Sequence, residues 1–158
     1  LSFSELGGIN IHPSLLPRHR GCFAIPWAII NGDKETGLTI HTMEEEIDTG
    51  HLLYQDSWGI DAQDTAYSLH SKFLSKAFLV YPTIISKYIA REYNLDQCHK
   101  LSSTLKPHPR QLPHLGIIDK TWDKDYTERF IRAMYYPPFT PATYDGQSIY
   151  YLNQLINK

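Results

Sequence analysis

The alternation of apolar and polar positions along the chain predicts short strands interspersed with helices. Residues 9–12 read as a strand, and the apolar run 22–31 is compatible with a helix that stops at Asn31-Gly32-Asp33. Two further strand-like runs, 38–42 and 51–58, could pair as a hairpin around the loop between them. The pattern therefore favours a mixed α/β fold.

The next predicted element is a long helix. Asp64 can cap a helix that runs to about Arg91. Pro82 lies within this stretch and is expected to kink the helix or divide it in two. Apolar residues recur along it at helical spacing and predict a stripe that faces the core, namely Ala66, Leu69, Phe73, Ala77 and Val80.

The rest of the chain combines a polar segment, a helix and a hairpin. Residues 93–113 are polar and contain prolines, and we read them as a long surface segment. A helix is predicted from about Asp123 to Tyr135. Asp145-Gly146 is a strong β-hairpin signal, because both turn positions tolerate a positive φ.

Length, composition and charge are those of a globular protein. With 158 residues, of which 42% are hydrophobic and 20% charged, the chain is long enough for one compact domain. A formal net charge of −2 with scattered basic residues gives no global attraction to nucleic acid, which disfavours a tRNA substrate. Cys22 and Cys98 lack zinc-ligand spacing and are read as free thiols. Neither a membrane-spanning run nor a signal peptide is visible, and we expect a cytoplasmic protein.

Three polar side chains in the first third of the chain could act together. Asn10 and His12 are two residues apart on a predicted strand, so their side chains point to the same face. Asp48 lies in a turn-like Asp-Thr-Gly that could return a carboxylate to that face. An amide that donates to a developing oxyanion is worth roughly 3 to 4 kcal/mol, and an imidazole oriented by a carboxylate can move a proton near neutral pH. The combination suits acyl transfer to an amine.

The sequence around these residues resembles the signature of the folate-dependent formyltransferases. That family includes glycinamide ribonucleotide transformylase, methionyl-tRNA formyltransferase and the nucleotide-sugar N-formyltransferases. The separation between the histidine and the aspartate is the one that the family shows. The resemblance rests on Asn10-Ile11-His12-Pro13-Ser14-Leu15-Leu16-Pro17, Arg20-Gly21 and Ile47-Asp48-Thr49-Gly50.

The resemblance implies an α/β fold, in which the chain is the second half of a Rossmann-like formyltransferase catalytic domain with a C-terminal helix and β-hairpin. We accordingly expect residues 1–115 to be part of the catalytic domain and residues 116–158 to be a C-terminal helix and hairpin extension of the same domain. In the family several strands precede the signature, whereas this chain begins almost on the catalytic strand. We therefore expect a fragment, and the alternative is a degenerate or split protein that has lost activity.

The same resemblance assigns roles to individual residues. It implies that Asn10, His12 and Asp48 are catalytic and that 10-formyl-tetrahydrofolate is the co-substrate. Backbone groups in the loop before Asp48 are expected to contact the pterin of the folate, near Met43, Glu45 and Ile47.

We expect no metal site. The consecutive glutamates at 44–46 cannot easily converge on one ion, and His108 and His114 lie six residues apart in a loop without a third ligand. His41 lies on a predicted strand and is read as a structural histidine without a chemical role. Trp27 is expected in the core, with a pocket wall as the alternative.

Candidate substrate-binding residues come from two stretches. Residues 14–21 form a locally basic loop, whose arginines could bind a diphosphate or ribose phosphate or could simply be solvated. Near residue 135 the tyrosines could stack on a nucleotide base or pack under the sheet, and an arginine could contact substrate or form a structural ion pair. The six candidates are Ser14, Arg18, Arg20, Arg132, Tyr135 and Tyr136.

Among the branches of the family, the nucleotide-sugar N-formyltransferases fit best. The tail from Gly116 onward resembles the longer members, and the tRNA enzyme would be expected to continue into a second, tRNA-holding domain. We therefore expect formyl transfer to the amine of a nucleotide-linked amino sugar, as in lipopolysaccharide O-antigen biosynthesis, with a homodimer left open. The alternatives are a methionyl-tRNA formyltransferase fragment and a non-catalytic remnant or assembly module whose aromatic hairpin mediates association.

Overall fold

The computed structural model describes residues 4–102 and 104–156, with the backbone alone at Ile156. A single turn of 3₁₀ helix lies at Leu95–Gln97, and Pro113–Gly116 forms a tight turn in which His114 and Leu115 have left-handed backbone. Within the described ranges the elements follow in the order β1 (Ile9–His12), α1 (Ala24–Asn31), β2 (Glu35–Thr42), β3 (Leu52–Gly59), α2 (Ala66–Ile89), α3 (Lys124–Met134), β4 (Thr143–Tyr144), β5 (Gln147–Ser148) and α4 (Asn153–Ile156).

The first three strands form one antiparallel sheet in the order β1-β2-β3. The hairpin predicted from the two alternating runs is confirmed, since β2 pairs with β3 from Glu35 to His41, with a register shift between Ile40 and His41. On the other side of β2, Asn10 lies opposite His41 and His12 lies opposite Thr39. Paired residues project from the same face of a sheet, so these four side chains share one face.

The opposite face of the sheet builds the core. Leu38 and Ile40 of β2 are fully buried against the helices, in a cluster that includes Ile29 of α1, Leu69 of α2 and Phe130 of α3. Burying a side chain of this size contributes about 2 to 3 kcal/mol, so the helices hold the sheet in place. Strand β2 is therefore apolar on its helix side and polar on the side of Asn10 and His12.

The long helix differs in two details from its sequence-based prediction. Its N-cap is Thr65 and not Asp64, because Thr65 and Ser68 exchange side-chain to backbone hydrogen bonds in a capping box. The helix is also undivided at Pro82. Ala77 and Ile84, on either side of the proline, are both buried, so packing on one core keeps the two halves in one helix.

The polar segment after α2 is more closely packed than predicted. Leu101 is buried, and Lys100 and His108 form isolated β-bridges with His51 and Gly21 respectively. The segment therefore pairs with the backbone at the start of β3 and contacts the loop that follows β1.

The C-terminal helix and hairpin occur as predicted. Helix α3 starts after Asp123, whose carboxylate caps it by accepting from the Tyr126 amide. Asp145 and Gly146 both have positive φ and join β4 to β5. The boundary at residue 115 stays a prediction, although the core cluster contains residues from both sides of it. Among the described residues, no helix has the length and apolar character needed to cross a membrane.

Gly50 is expected to be far less tolerant of substitution than Gly146. A Cβ at Gly50 would overlap the carbonyl oxygen of Thr42, so Gly50→Ala should lower the free energy of unfolding by about 2 to 3 kcal/mol. Gly146→Ala is the matched control, because a Cβ there meets no atom within 4 Å and only the left-handed backbone is penalised, by about 1 kcal/mol. Urea unfolding measures both values, and equal losses would contradict the close approach at Gly50.

Candidate active site

The structure brings together the three side chains that the sequence pattern singles out. Asp48 Oδ2 lies 3.5 Å from Nδ1 of His12, and Asp48 Oδ1 lies 3.3 Å from Nδ2 of Asn10. Because a carboxylate only accepts, the Asn10 amide donates to it. The loop between β2 and β3 thus returns Asp48 to the face of β1 that carries Asn10 and His12.

Asp48 occupies a tight and largely buried turn. Its backbone adopts a left-handed conformation with φ of 55°, which Asp tolerates better than most residues. Its side chain is only 8% exposed, and the Gly21 N–H donates to Oδ2 at 2.7 Å. The loop after β1 therefore supplies a backbone donor to the carboxylate.

Arg20 holds this turn from inside. Its side chain is 2% exposed, its Nε and Nη2 both donate to the carbonyl of Ile47, and Nη2 pairs with Glu46 at 2.9 Å. Donors of the guanidinium are thus engaged by Glu46 and Ile47, the two residues immediately before Asp48. Its placement supports a structural role in fixing the carboxylate, in contrast to the phosphate contact predicted from sequence.

His12 is buried, with both ring nitrogens facing protein groups. Nε2 donates to the carbonyl of His19 at 2.9 Å, since a carbonyl oxygen can only accept. Burial disfavours the charged imidazole and holds the pKa of His12 below its ordinary value, while Asp48 and the His19 carbonyl offset this only in part. The ring is therefore neutral at neutral pH and able to accept a proton.

Asp48 is ionised beside this neutral ring. Burial acts to raise the pKa of the Asp48 carboxyl, but the rings of His41 and His12 and the Gly21 N–H together outweigh it, so that its pKa lies below the usual value. The site thus contains a neutral base next to a fixed negative charge.

His41 belongs to this cluster, although sequence reasoning gave it no chemical role. It is buried, its Nδ1 donates to the carbonyl of Thr42 at 2.7 Å, and its Nε2 lies 3.3 Å from Nδ2 of Asn10 and 3.5 Å from Asp48. The strand register could have revealed it, because pairing β1 with β2 puts His41 directly opposite Asn10. In the neutral ring Nε2 accepts from Asn10, and in the charged ring it donates to Asp48.

The six candidate substrate-binding residues do not form one cluster. Ser14 is buried, and its hydroxyl donates to the carbonyl of Arg18 at 2.6 Å, so it supports the loop from beneath. Arg18 is 48% exposed and faces Glu35 at 3.6 Å on the surface. At the end of α3, Arg132 donates to the carbonyl of Asp64, while Tyr135 is partly exposed.

Tyr136 lines a large apolar cavity beside the end of β1. The cavity has a volume of about 650 Å³, and Pro13, which follows His12 directly, forms part of its wall. A polar pair lies in this wall, where Tyr136 OH and Nδ1 of His70 are 2.8 Å apart. The full lining comprises Pro13, Phe23, Ala24, Ile25, Pro26, Ala66, His70, Leu112, Ala133, Met134, Tyr136, Phe139 and Thr140.

The loop expected to contact a pterin offers apolar side chains more readily than the backbone groups predicted. Met43 and Ile47 are about half exposed. The Met43 amide already donates to the carbonyl of Gly8, and the Ile47 carbonyl already accepts from Arg20. Glu45 lines a neighbouring cavity of about 630 Å³, whose wall combines residues of the loop 44–49 with residues 100–102 of the segment after α2.

Comparison with known proteins agrees with this geometry. The profile of the formyl transferase family matches residues 1–85, which is more than half of the chain and contains the whole Asn10, His12 and Asp48 cluster. The chain belongs to the formyl transferase family. Its mixed α/β fold is also that of the family's solved structures.

Relatives within the family act on different acceptors. The chain is 39% identical to a GDP-perosamine N-formyltransferase from Brucella melitensis over 154 residues, which cover 96% of this chain and 58% of the relative. It is 50% identical to a methionyl-tRNA formyltransferase from Caldanaerobacter subterraneus over 72 residues, covering 46% of this chain and 23% of that one. The N-formyltransferase from Helicobacter canadensis, solved with folinic acid and dTDP-3-aminofucose, superposes with a TM-score of 0.78 at 25% identity, over 90% of this chain and 52% of that one.

The chain thus spans little more than half the length of the Brucella relative.

The burial of neutral His12 predicts a pH-dependent stability. The unfolded histidine has its ordinary pKa of 6.5 and the folded one a lower pKa, so acid favours the unfolded chain. The contribution of His12 to stability is therefore fully present above pH 6.5 and is lost as the pH falls through the folded pKa. We expect the unfolding free energy of the wild type to decrease more steeply than that of His12→Gln between pH 7.5 and about 5.

Urea unfolding across this pH range measures the two slopes. His99→Gln is the matched control, since His99 is exposed and its replacement should leave the slope of the wild type unchanged. Parallel curves for the wild type and His12→Gln would contradict a buried neutral His12.

Proposed function

We propose that the full-length protein transfers a formyl group from 10-formyl-tetrahydrofolate to the amine of a nucleotide-linked amino sugar. The observation that carries the proposal is the contact of neutral His12 and ionised Asp48 beside Asn10, within the stretch matched by the family. The choice of acceptor is supported by the Brucella relative, whose match extends over 96% of this chain, and by the Helicobacter structure with its dTDP-linked amino sugar.

In the proposed reaction the neutral amine attacks the formyl carbon, and a new C–N bond forms as the bond to the folate nitrogen breaks. Asn10 and His12 stabilise the negative charge that builds up on the formyl oxygen. His12 accepts the proton of the attacking amine and helps to pass it to the departing folate nitrogen, while Asp48 orients His12.

The hydrogen bonds of the site define what the reaction must rearrange. Nδ2 of Asn10 is directed to Asp48 and His41, and Nε2 of His12 is directed to the carbonyl of His19. To donate to a substrate oxygen, Asn10 or His12 must therefore give up one of these internal hydrogen bonds. Such an exchange is consistent with catalytic contacts that tighten only when substrate is bound.

The apolar cavity beside Pro13 supports an acceptor site. Its size suits a flat ring system, and Tyr136 and Phe139 offer aromatic faces on which a nucleotide base can stack. Arg18 is exposed on the loop after β1 and is the basic candidate available to a diphosphate. For Ser14, Arg20 and Arg132 the internal hydrogen bonds described above support indirect roles, whereas the partly exposed Tyr135 stays a candidate for direct contact.

The loop before Asp48 supports the co-substrate site. The exposed side chains of Met43 and Ile47 provide apolar surface for a pterin ring, and Glu45 lies between them on the same loop. This assignment agrees with the sequence-based expectation for the loop but transfers the contact from backbone groups to side chains.

A second candidate is transfer to methionyl-tRNA, which is favoured by the 50% identity with the Caldanaerobacter enzyme over 72 residues. The net charge of −2 and the shorter match argue for the sugar acceptor instead.

We further propose that the enzyme is cytoplasmic and that it acts in lipopolysaccharide O-antigen biosynthesis. We also propose that it forms a homodimer.

The deciding experiment is formyl transfer by the full-length protein with 10-formyl-tetrahydrofolate and a panel of nucleotide-linked 3-amino and 4-amino sugars, with products detected by mass. A formylated sugar is the expected result. Transfer to methionyl-tRNA alone would replace the proposal by the second candidate. No transfer to any acceptor would favour a non-catalytic remnant.

Replacement of the catalytic pair should abolish most of this activity without unfolding the protein. We expect His12→Ala to lower kcat by about a hundredfold to ten-thousandfold, because it removes the group that moves the proton. Asp48→Asn should cost a similar factor, since the amide no longer orients and stabilises the imidazole. Asp145→Asn, in the exposed hairpin turn, is the control, and near-normal turnover in either active-site variant would refute the mechanism.

Replacement of Tyr136 should change KM for the sugar nucleotide and leave KM for the folate co-substrate nearly unchanged. Tyr136→Ala is expected to raise KM for the sugar nucleotide by about tenfold through the loss of a stacking surface, with KM for 10-formyl-tetrahydrofolate within about twofold. Tyr151→Ala is the control, because Tyr151 is 71% exposed and lies outside the cavity. A rise in the folate KM alone would assign the cavity to the other substrate.

A further inference from the structure

We propose that Asp33 is a positioning residue for His12, acting through the side chain and the backbone carbonyl of His19. None of the roles assigned above uses Asp33, which follows helix α1 and lies outside the catalytic cluster. The kinetic part of this inference rests on the proposed formyl transfer, whereas its spectroscopic part does not.

The first step is the hydrogen bond between His12 and His19. Nε2 of His12 donates to the carbonyl of His19, and the opposite nitrogen of the ring faces Asp48. The carbonyl at Nε2 favours a proton on that atom, whereas Asp48 favours a proton on Nδ1. The position of the His19 carbonyl therefore helps to set the orientation of the imidazole and the balance between its two tautomers.

The second step is the backbone of His19, which adopts a left-handed conformation with φ of 54°. Outside glycine this region is uncommon, although histidine enters it more often than most residues. The direction of the His19 carbonyl depends on this turn, so a contact that fixes the His19 side chain also helps to fix the acceptor of His12.

The third step is that Asp33 supplies this contact. Nε2 of His19 donates to Asp33 Oδ2 at 2.8 Å, and the two side chains are only 9% and 18% exposed. A charge-assisted hydrogen bond this short and this sheltered is stronger than a surface ion pair. Nδ1 of His19 also lies 3.4 Å from Nε2 of His108, whose ring stacks on Trp27 with 4.8 Å between centroids. The His19 ring is thus fixed at both nitrogens.

The loop that carries His19 serves both partners of His12. His19 provides the acceptor for Nε2, and Gly21, two residues later, donates its N–H to Asp48. Loss of the contact with Asp33 therefore weakens two hydrogen bonds. One joins Nε2 of His12 to the His19 carbonyl, and the other joins the Gly21 N–H to Asp48. The charged or titratable groups that face His12 are Asp48, His41 and His19, and Asp33 reaches it only through His19.

The test compares three variants of the full-length enzyme. Asp33→Ala removes this contact and is expected to lower kcat by about tenfold while KM for both substrates stays within twofold. Asp33→Asn keeps an oxygen that accepts from His19 and should retain most of the turnover, within about threefold of the wild type. Asp56→Ala is the matched control, because it deletes another aspartate from an ion pair, with Lys76 at 2.9 Å on the surface, and should leave kcat and KM unchanged.

A second substitution guards against a simple folding defect. His19→Asn keeps the carbonyl and tolerates a positive φ, but its side chain is too short to replace the imidazole against Asp33. It should lower kcat by the same factor as Asp33→Ala, and the double variant should lose no more than either single one. Additive losses would mean that the two residues act separately and would overturn the proposal.

The spectroscopic readout follows His12 itself. With ¹⁵N-labelled histidine, the wild-type ring should show the proton on Nε2 at pH 8, and Asp33→Ala should increase the fraction with the proton on Nδ1; the His12→Gln spectrum assigns the signal. An unchanged tautomer in Asp33→Ala, or a kcat within twofold of the wild type, would overturn the proposal. If the wild type formylates no acceptor, the proposed function fails and the tautomer alone decides this inference.

Discussion

The structure is organised around the need to hold one carboxylate away from water. Asp48 is almost completely buried yet ionised, and a carboxylate in that position requires hydrogen-bond donors. The Asn10 amide and the Gly21 N–H donate to it, and the rings of His41 and His12 each approach it to 3.5 Å. A loop that arrived even 1 Å away would leave the charge unpaired, so the surrounding chain has little freedom in how it presents these groups.

Several features that look unrelated in the sequence follow from this constraint. Arg20 points inward because the turn before Asp48 needs a donor for the carbonyl of Ile47. Glycine is required at position 50, just after that turn, since a side chain there would overlap the carbonyl oxygen of Thr42. Gly21 adopts a positive φ and lies against the backbone of His108, so that its amide can reach the carboxylate. Several residues of the family signature thus support Asp48, in addition to the reacting roles proposed for Asn10, His12 and Asp48 themselves.

Much of this arrangement could be predicted from sequence, but not all of it. The alternating runs located β1, β2 and β3, and the two-residue spacing placed Asn10 and His12 on one face. The missing parts depend on contacts between distant segments. His41 becomes visible only when β1 and β2 are paired in register, and the burial of Arg20 and Ser14 depends on how the basic loop folds back. Local charge suggested a phosphate site there, and that prediction stays open for the exposed Arg18, whereas Arg20 is buried by the tertiary packing of the loop.

The wall of the apolar cavity is built from two parts of the chain, one inside and one outside the stretch matched by the family profile. Every residue of the catalytic cluster lies in the 85 residues matched by the family profile. Much of the cavity wall comes from beyond that stretch, including Leu112, Met134, Tyr136 and Phe139. This part of the wall and the polar cluster are therefore encoded in separate parts of the chain, while the rest of the wall, from Pro13 to His70, lies within the matched stretch. Substitutions at Leu112, Met134, Tyr136 or Phe139 can reshape that part of the wall without changing Asn10, His12 or Asp48, so the cavity can vary in shape while the polar cluster stays the same.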